Sequence, residues 1–262
     1  MKYIDTHCHL NDESLYPDRK EVVLRAKEKG CLAFYNNGDS VESFERILSL
    51  AREFPGFCSP VLGIHPEFAT REDEYLQKGL EEIEAHAKDI PAIGEIGLDY
   101  HYSKDPEVKE RQKALFREQI RLANRLSLPV VIHSRDADRD TFDLLREEKP
   151  LRTDLHCYSG SVELYEEYLR LPFEVFFGIG GVVTFKNARV LKEVVKKGRE
   201  TTFLTETDSP FLTPSPHRGE RNEPSYIPLI LQAIAEIREE NVEDVSRQLL
   251  ENGEHFYGRN RD

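Results

Sequence analysis

Tyr3-Ile4-Asp5-Thr6-His7-Cys8-His9 is the stretch on which the fold turns. A short apolar start followed by His-x-His predicts the end of a first β-strand. Residues i and i+2 of a strand share a face, so His7 and His9 aim two imidazoles at one spot while Cys8 turns away. Imidazole is the commonest metal-ligating side chain. Taken alone, the pair fits a polar strand end equally well. A doubly wound sheet would place a glycine-rich phosphate turn after its first strand. Here histidines stand in that turn.

Outward from this strand, a βα rhythm repeats to the end of the chain. Expected strands are Cys31 to Tyr35, Phe57 to Ile64, a run from Pro91 to Gly94 that ends in Glu95-Ile96-Gly97-Leu98-Asp99, Pro129 to Ile132, Thr153 to Leu155, Glu174 to Phe177 and Thr202 to Thr205. Pro129-Val130-Val131-Ile132 is continuously apolar, the pattern of a strand buried on both faces. Between and after the strands lie expected helices: Pro17 to Lys29, Val41 to Phe54, Glu74 to Lys88, Val108 to Leu126, Thr141 to Glu148, Val162 to Leu169, Asn187 to Lys197, Ser225 to Glu239 and Val242 to His255. The amphipathic repeat is clearest over Val108 to Leu126. Eight strands alternating with helices over 262 residues match a (β/α)8 TIM barrel of about 250 residues, read as a single domain over 1–262.

Composition narrows the class. With 39% hydrophobic residues the chain can bury a substantial core. It has no apolar run of 18 or more residues and no signal-peptide core, so no membrane association and a cytoplasmic location are expected. Cys8, Cys31, Cys58 and Cys157 are scattered among apolar neighbours and read as buried thiols of a reducing compartment. A net charge of -13 argues against a protein that coats nucleic acid nonspecifically.

A barrel gathers the C-terminal ends of its strands on one face, where active sites sit. That face collects His7 and His9 after the first strand, Glu95 after the fourth, His133 after the fifth, His156 after the sixth and Asp208 after the eighth, with His65 after the third. Four histidines and two carboxylates exceed the needs of one ion and suit two divalent ions sharing a carboxylate and a water. Imidazole with carboxylate favours zinc, manganese or nickel over calcium, and magnesium completes the expected set. Each residue has an ordinary alternative: His133 as a strand-end cap, His156 bonded to Asp154 or Tyr158, Glu95 as a solvated loop acid, Asp208 as a turn residue. His86 and His255 read as surface residues; His101 and His217 stay open.

The residues Asp5-Thr6-His7-Cys8-His9-Leu10, Gly63-Ile64-His65-Pro66, Gly94-Glu95-Ile96-Gly97-Leu98-Asp99, His133-Ser134-Arg135, His156-Cys157-Tyr158-Ser159-Gly160, Glu206-Thr207-Asp208-Ser209-Pro210 and Arg218-Gly219-Glu220-Arg221-Asn222-Glu223-Pro224 together resemble the TatD family of metal-dependent deoxyribonucleases, in the amidohydrolase superfamily. The match runs from residue 5 to about residue 224. It departs at Glu251-Asn252-Gly253-Glu254-His255-Phe256, which is read as a peripheral helix. The resemblance implies that His7, His9 and Asp208 hold one metal, that His133 and His156 hold the other, and that Glu95 bridges them. It also implies phosphodiester hydrolysis, commonly as a 3′ exonuclease on DNA, with single strands or 3′ ends as the expected partner of a monomer.

The expected chemistry uses a metal-bridging hydroxide, whose pKa lies near neutrality. Asp208 would accept the water proton and pass it to the leaving alkoxide, and Glu95 would offset metal charge. His65, Arg135 and Arg218 are nominated for phosphate contact. Glu206 would hold a ligating histidine or a substrate group, or pair with Arg218 or Arg221. Two other readings share these residues: a hydrolase acting on a lactone, amide or aminoacyl ester, and a metal-binding barrel without turnover.

Overall fold

The computed structural model describes residues 1–258; the last four positions of the expected 1–262 domain lie outside them. Eight strands follow in order: β1 (Tyr3–Cys8), β2 (Cys31–Asn37), β3 (Cys58–Val61), β4 (Ile93–Asp99), β5 (Val130–Arg135), β6 (Arg152–Leu155), β7 (Glu174–Ile179) and β8 (Phe203–Thr205). All pairings are parallel, in two runs, β1-β2-β3 and β4 through β8. Single bridges join the runs, Leu62 to Ile93 and Cys8 to Ser209, and close a (β/α)8 barrel.

Helices α1 (Arg19–Glu28), α2 (Phe44–Glu53), α3 (Asp73–Ala85), α4 (Pro106–Leu126), α5 (Asp138–Glu148), α6 (Val162–Tyr168), α7 (Arg189–Lys197) and α8 (Ile227–Arg238) alternate with the strands, and α9 (Val242–Tyr257) follows. The longest, α4, shows why they form. Asp105 caps it by accepting from the Glu107 amide, Pro106 sits where no amide donor is needed, and Leu115, Phe116, Ile120 and Ala123 make one buried stripe. Ser127, in the left-handed region, stops it. Several helices start later than expected, because a 3-10 turn precedes them: Tyr16–Asp18 before α1, Val41–Ser43 before α2 and Pro224–Tyr226 before α8. No helix among the described residues is long and apolar enough to cross a membrane.

Strand side chains alternate between two cores. Phe34, Ile93, Val130, Ile132, Phe177 and Phe203 pack outward in the larger core. Ile4, Ala33, Tyr35, Val61, Ala92, Val131, Phe176 and Leu204 fill the barrel, where Leu250, Phe256 and Tyr257 of α9 join them. The helix read as peripheral is therefore part of the barrel floor. Tyr257 stacks on Tyr35 with centroids 3.4 Å apart and donates to the Thr6 carbonyl at 2.7 Å. Gly253 lies so close to Ile4 that a Cβ there would meet Ile4 Cδ1 at 2.4 Å.

Two strands break the alternation. Register shifts fall between Asp5 and Cys8 in β1 and between Ile93 and Ile96 in β4. Counted by twos from the inward Ile4, Thr6 and Cys8 would face in and His7 out; yet His7 stacks on His156 at 3.9 Å inside the ring of site residues. Bulges of this kind re-aim side chains at barrel rims.

A candidate dinuclear metal centre

Each side chain reaches the site from a strand or from the residues just past its C-terminal end. On β5, Val131 points inward and His133 is two residues further up. From the inward Leu204 of β8 the chain runs on past the strand's end through the buried Glu206 to Asp208 at the site. The bulge in β4 turns Glu95 inward between the outward Ile93 and Ile96. Gly97 has φ +145°, and a Cβ there would lie 2.0 Å from the His133 carbonyl, so only glycine lets β4 and β5 approach at this level. Asp208 has φ 55°, a left-handed conformation that aspartate tolerates better than most residues, and its amide donates to the His7 carbonyl at 2.9 Å.

Glu95 stands at the centre. Its Oε2 lies 3.4 Å from His7 Nε2 and 3.6 Å from His9 Nε2. Its Oε1 lies 2.7 Å from His133 Nδ1 and 3.0 Å from His156 Nε2. Asp208 Oδ1 completes the first side, 3.4 Å from His9 Nε2 and 3.7 Å from His7 Nε2. The two Nε2 atoms of His7 and His9 are 3.1 Å apart. The six side chains nominated as ligands thus meet around one carboxylate.

The electrostatics ask for positive charge. Burial, reinforced by the charge of His156, lowers His7 to about 3. Burial also disfavours a charged His9, but hydrogen bonding to Asp208 and the charge of Glu95 prevail and raise it to about 9. His156 is raised to about 10 because Glu95 outweighs the same burial. Glu95 stays well below the usual carboxylate range despite burial, held by His156, His133 and His7, and Asp208 is lowered, against its burial, by His9 and His156. Anions that keep protons on buried imidazoles would keep cations as well, with the protons released. The donor set of imidazole nitrogen and carboxylate oxygen fits divalent transition ions, and two triads, His7-His9-Glu95 and Glu95-His133-His156, are compact enough to hold one ion each.

Neighbours orient these rings. His9 Nδ1 faces the Asn37 carbonyl at 3.0 Å; a carbonyl only accepts, so Nδ1 carries the hydrogen there. His133 Nε2 lies 3.1 Å from Asp99 Oδ2. Asp99 has no role in the sequence reading beyond its place in a motif, although Glu95, Gly97 and Asp99 alternate along one strand and so share a face with the ligand. His65 Nε2 is 3.8 Å from Glu95 Oε1, and its ring is edge-on to His133.

Two expectations need correction or relocation. Arg218 is exposed with its guanidinium 4.1 Å from the Phe185 ring centre, and it borders neither cavity that opens on the histidines. Glu206 is fully buried beneath the site and not on a substrate-facing wall. Its Oε1 accepts from the Cys157 amide at 2.5 Å and lies 3.8 Å from His156 Nδ1, while Arg221 pairs with Asp18 instead. Burial raises Glu206 to about 7, and burial with the Glu206 charge keeps Asp154 well above the carboxylate range. Arg135 does border the larger cavity. Of the remaining histidines, His86 pairs with Asp89, His101 with Asp136, His217 with Glu220 and His255 with Glu174, all away from the ligand cluster.

Known proteins resemble this chain over nearly its whole length. The family model "TatD related DNase" matches residues 4–258. YabD of Bacillus subtilis, named an uncharacterized metal-dependent hydrolase, is 40% identical over 255 residues, covering 97% of this chain and 98% of that protein. The crystal structure of YjjV, a TatD homolog from Escherichia coli, superposes with a TM-score of 0.90 at 30% identity, over 98% of each chain. A TatD family hydrolase of Entamoeba histolytica, at 21% identity and a TM-score of 0.85 over 98% of each chain, shares the fold.

Proposed function

We propose, from the premise that the chain belongs to the TatD family of metal-dependent hydrolases, that it is a deoxyribonuclease of the 3′ exonuclease type that hydrolyses phosphodiester bonds with two divalent ions. One observation carries the reading: the two oxygens of Glu95 face two separate pairs of imidazoles. A carboxylate so divided suits a bridge between two ions. His7, His9 and Asp208 would hold one ion and His133 and His156 the other. Divalent ions there supply Lewis acidity to a phosphoryl group and acidify water.

The protein's own groups do the rest. Asp208, kept ionised by His9 and His156, accepts a proton at Oδ1 and returns it to the leaving alkoxide. His65, neutral because burial lowers it to about 4, meets the phosphate as a hydrogen-bond partner. Arg135, at the mouth of the larger cavity, offers the charge that a phosphate strand needs. On a chain of net charge -13, strand binding depends on these few local contacts.

The test is time-resolved product analysis on end-labelled single- and double-stranded DNA with manganese, magnesium or zinc, beside a panel of lactones and carboxyl esters. Stepwise release of nucleotides from the 3′ end is expected, with no detectable activity in Glu95→Ala. Turnover of an ester or lactone without cleavage of DNA would overturn the nuclease reading, and full diesterase activity in Glu95→Ala would overturn the bridge.

A further inference from the structure

Two cavities meet at the histidines, and their walls differ in chemistry. The first, of 580 Å³, is bordered by Asp12, Glu13, Asp39, Glu42 and Glu67. Its arginine, Arg46, is engaged with the Asn11 carbonyl at 3.0 Å and with the Tyr16 ring. The second, of 880 Å³, is bordered by Tyr102, Arg135, Arg189, Val190, Phe211 and Leu212. Glu67 borders both, and so does Phe211, which stands between them with its ring 6.3 Å from that of His9.

Exposed apolar surface is concentrated on the second wall. Of seven exposed large hydrophobic residues in the described chain, four (Tyr102, Val190, Phe211 and Leu212) lie here. Such a concentration marks a binding surface, whereas scattered exposed residues do not. Tyr102 is 80% exposed and Phe211 54% exposed, so both rings offer area that the protein's own packing does not use. Arg135 sits over the Tyr102 ring at 5.2 Å and donates to its hydroxyl at 3.2 Å. This wall therefore combines flat aromatic faces with cationic groups beside a phosphate-cleaving centre.

A polyanionic strand is repelled by the carboxylate wall and accepted by the arginine wall. Unpaired bases stack on exposed aromatic rings, whereas the bases of a duplex are already stacked on one another. We infer, on the basis of the nuclease reading above, that the 880 Å³ cavity is a subsite for an unpaired nucleobase adjoining the scissile phosphate, with Phe211 as its stacking face. Arg135 and Arg189 take the next phosphate of the strand. The subsite makes single-strandedness a requirement of the cleft rather than of the metal centre.

The test uses the manganese-loaded full chain and measures the rate of first cleavage on a single-stranded oligothymidylate. Companion strands carry one abasic residue on either side of the scissile linkage. Removing the base on the subsite side should slow the wild type about tenfold, the scale of one lost stacking contact. Phe211→Ala should be about tenfold slower on the intact strand and show no further loss on the abasic one, while Phe211→Tyr stays near wild type. As a readout independent of turnover, a strand with 2-aminopurine at that position should lose fluorescence on binding wild type and not on binding Phe211→Ala. A Phe211→Ala enzyme that keeps the full abasic penalty would overturn the subsite while leaving the nuclease standing. Failure of the wild type to cleave or bind any strand, with turnover of a carboxyl ester, would overturn both.

Discussion

Replacing Asp99 by Asn should weaken one metal position and spare the other, and the structure gives the reason. Asp99 Oδ1 accepts from the His101 amide at 2.8 Å, and Oδ2 faces His133 Nε2 at 3.1 Å. An asparagine must keep its oxygen toward the His101 amide, because only an oxygen can accept there. Its NH2 group then faces His133 Nε2. In the metal-free protein Nδ1 donates to Glu95 Oε1 and Nε2 to Asp99; with an ion bound, the Asp99 carboxylate would keep the hydrogen on Nε2 and leave the Nδ1 lone pair for the metal. In the variant Nε2 becomes the acceptor, so the ring's remaining hydrogen is fixed on Nδ1, 2.7 Å from Glu95 Oε1. The atom that would bind the ion is then blocked. A hydrogen bond to a charged group contributes roughly 1.5–3 kcal/mol, equivalent to about 10- to 100-fold in affinity, the usual range for residues that orient metal-binding histidines. Calorimetric titration of the metal-free protein with zinc or manganese measures it. Two classes of site are expected, one weakened by that factor and one unchanged. Gln112 bonds only the Asp99 backbone, so the metal-free variant should melt close to wild type. A titration that superposes on wild type would refute the tautomer argument.

The remaining predictions address the other half of the site, the floor and the surface. His7→Ala with His9→Ala should remove one ion per chain and leave a second bound more weakly, as metal analysis after dialysis would show; two ions retained would contradict the assignment. Gly253→Ala should destabilise the protein in urea. A Cβ at 2.4 Å from the buried Ile4 Cδ1 overpacks the floor by about 1–3 kcal/mol, which exceeds the roughly 1 kcal/mol that alanine gains in a helix; unchanged stability would show that α9 can shift. Lys113, at 2.8 Å, and Tyr100, at 2.7 Å, lower the pKa of Asp140. A depressed folded-state pKa stabilises the protein above the unfolded value, so Asp140→Asn should cost stability at neutral pH. The difference should fade as the pH falls from about 4 through the depressed value, and solvent screening keeps it under about 1 kcal/mol.

What was legible in the chain, and what was not, follows from the range of each interaction. The continuous apolar run Val130-Val131-Ile132 and the polar residue after nearly every strand are local signals, and they suffice for a barrel with a ring of ligands at one end. Strand phase is not local. The alternation that places Ile4 in the barrel would send His7 outward, and only the bulges of β1 and β4 bring His7 and Glu95 to the same point. The Glu251 to Phe256 stretch reads as peripheral because nothing in its pattern separates a surface helix from one that closes a barrel. The difference lies in Ile4 and Tyr35, more than 200 residues away, which Gly253 and Tyr257 meet. Arg218 failed for the converse reason: its charge suited a phosphate, but nothing in the sequence revealed the Phe185 ring that holds it aside. These cases place the boundary at closure. The order and polar ends of the strands are readable, whereas their bulges and the contacts between the first and last elements are not. The candidate metal centre falls on both sides of that boundary. Its candidate ligands can be named from strand ends, but Asp208 reaches His9 because the end of β1 is bridged to the segment after β8 through Cys8 and Ser209. Any change that loosens that seam should therefore weaken the proposed His7–His9–Asp208 position before it affects His133 on β5 and His156 just after β6, adjacent strands of one continuous sheet.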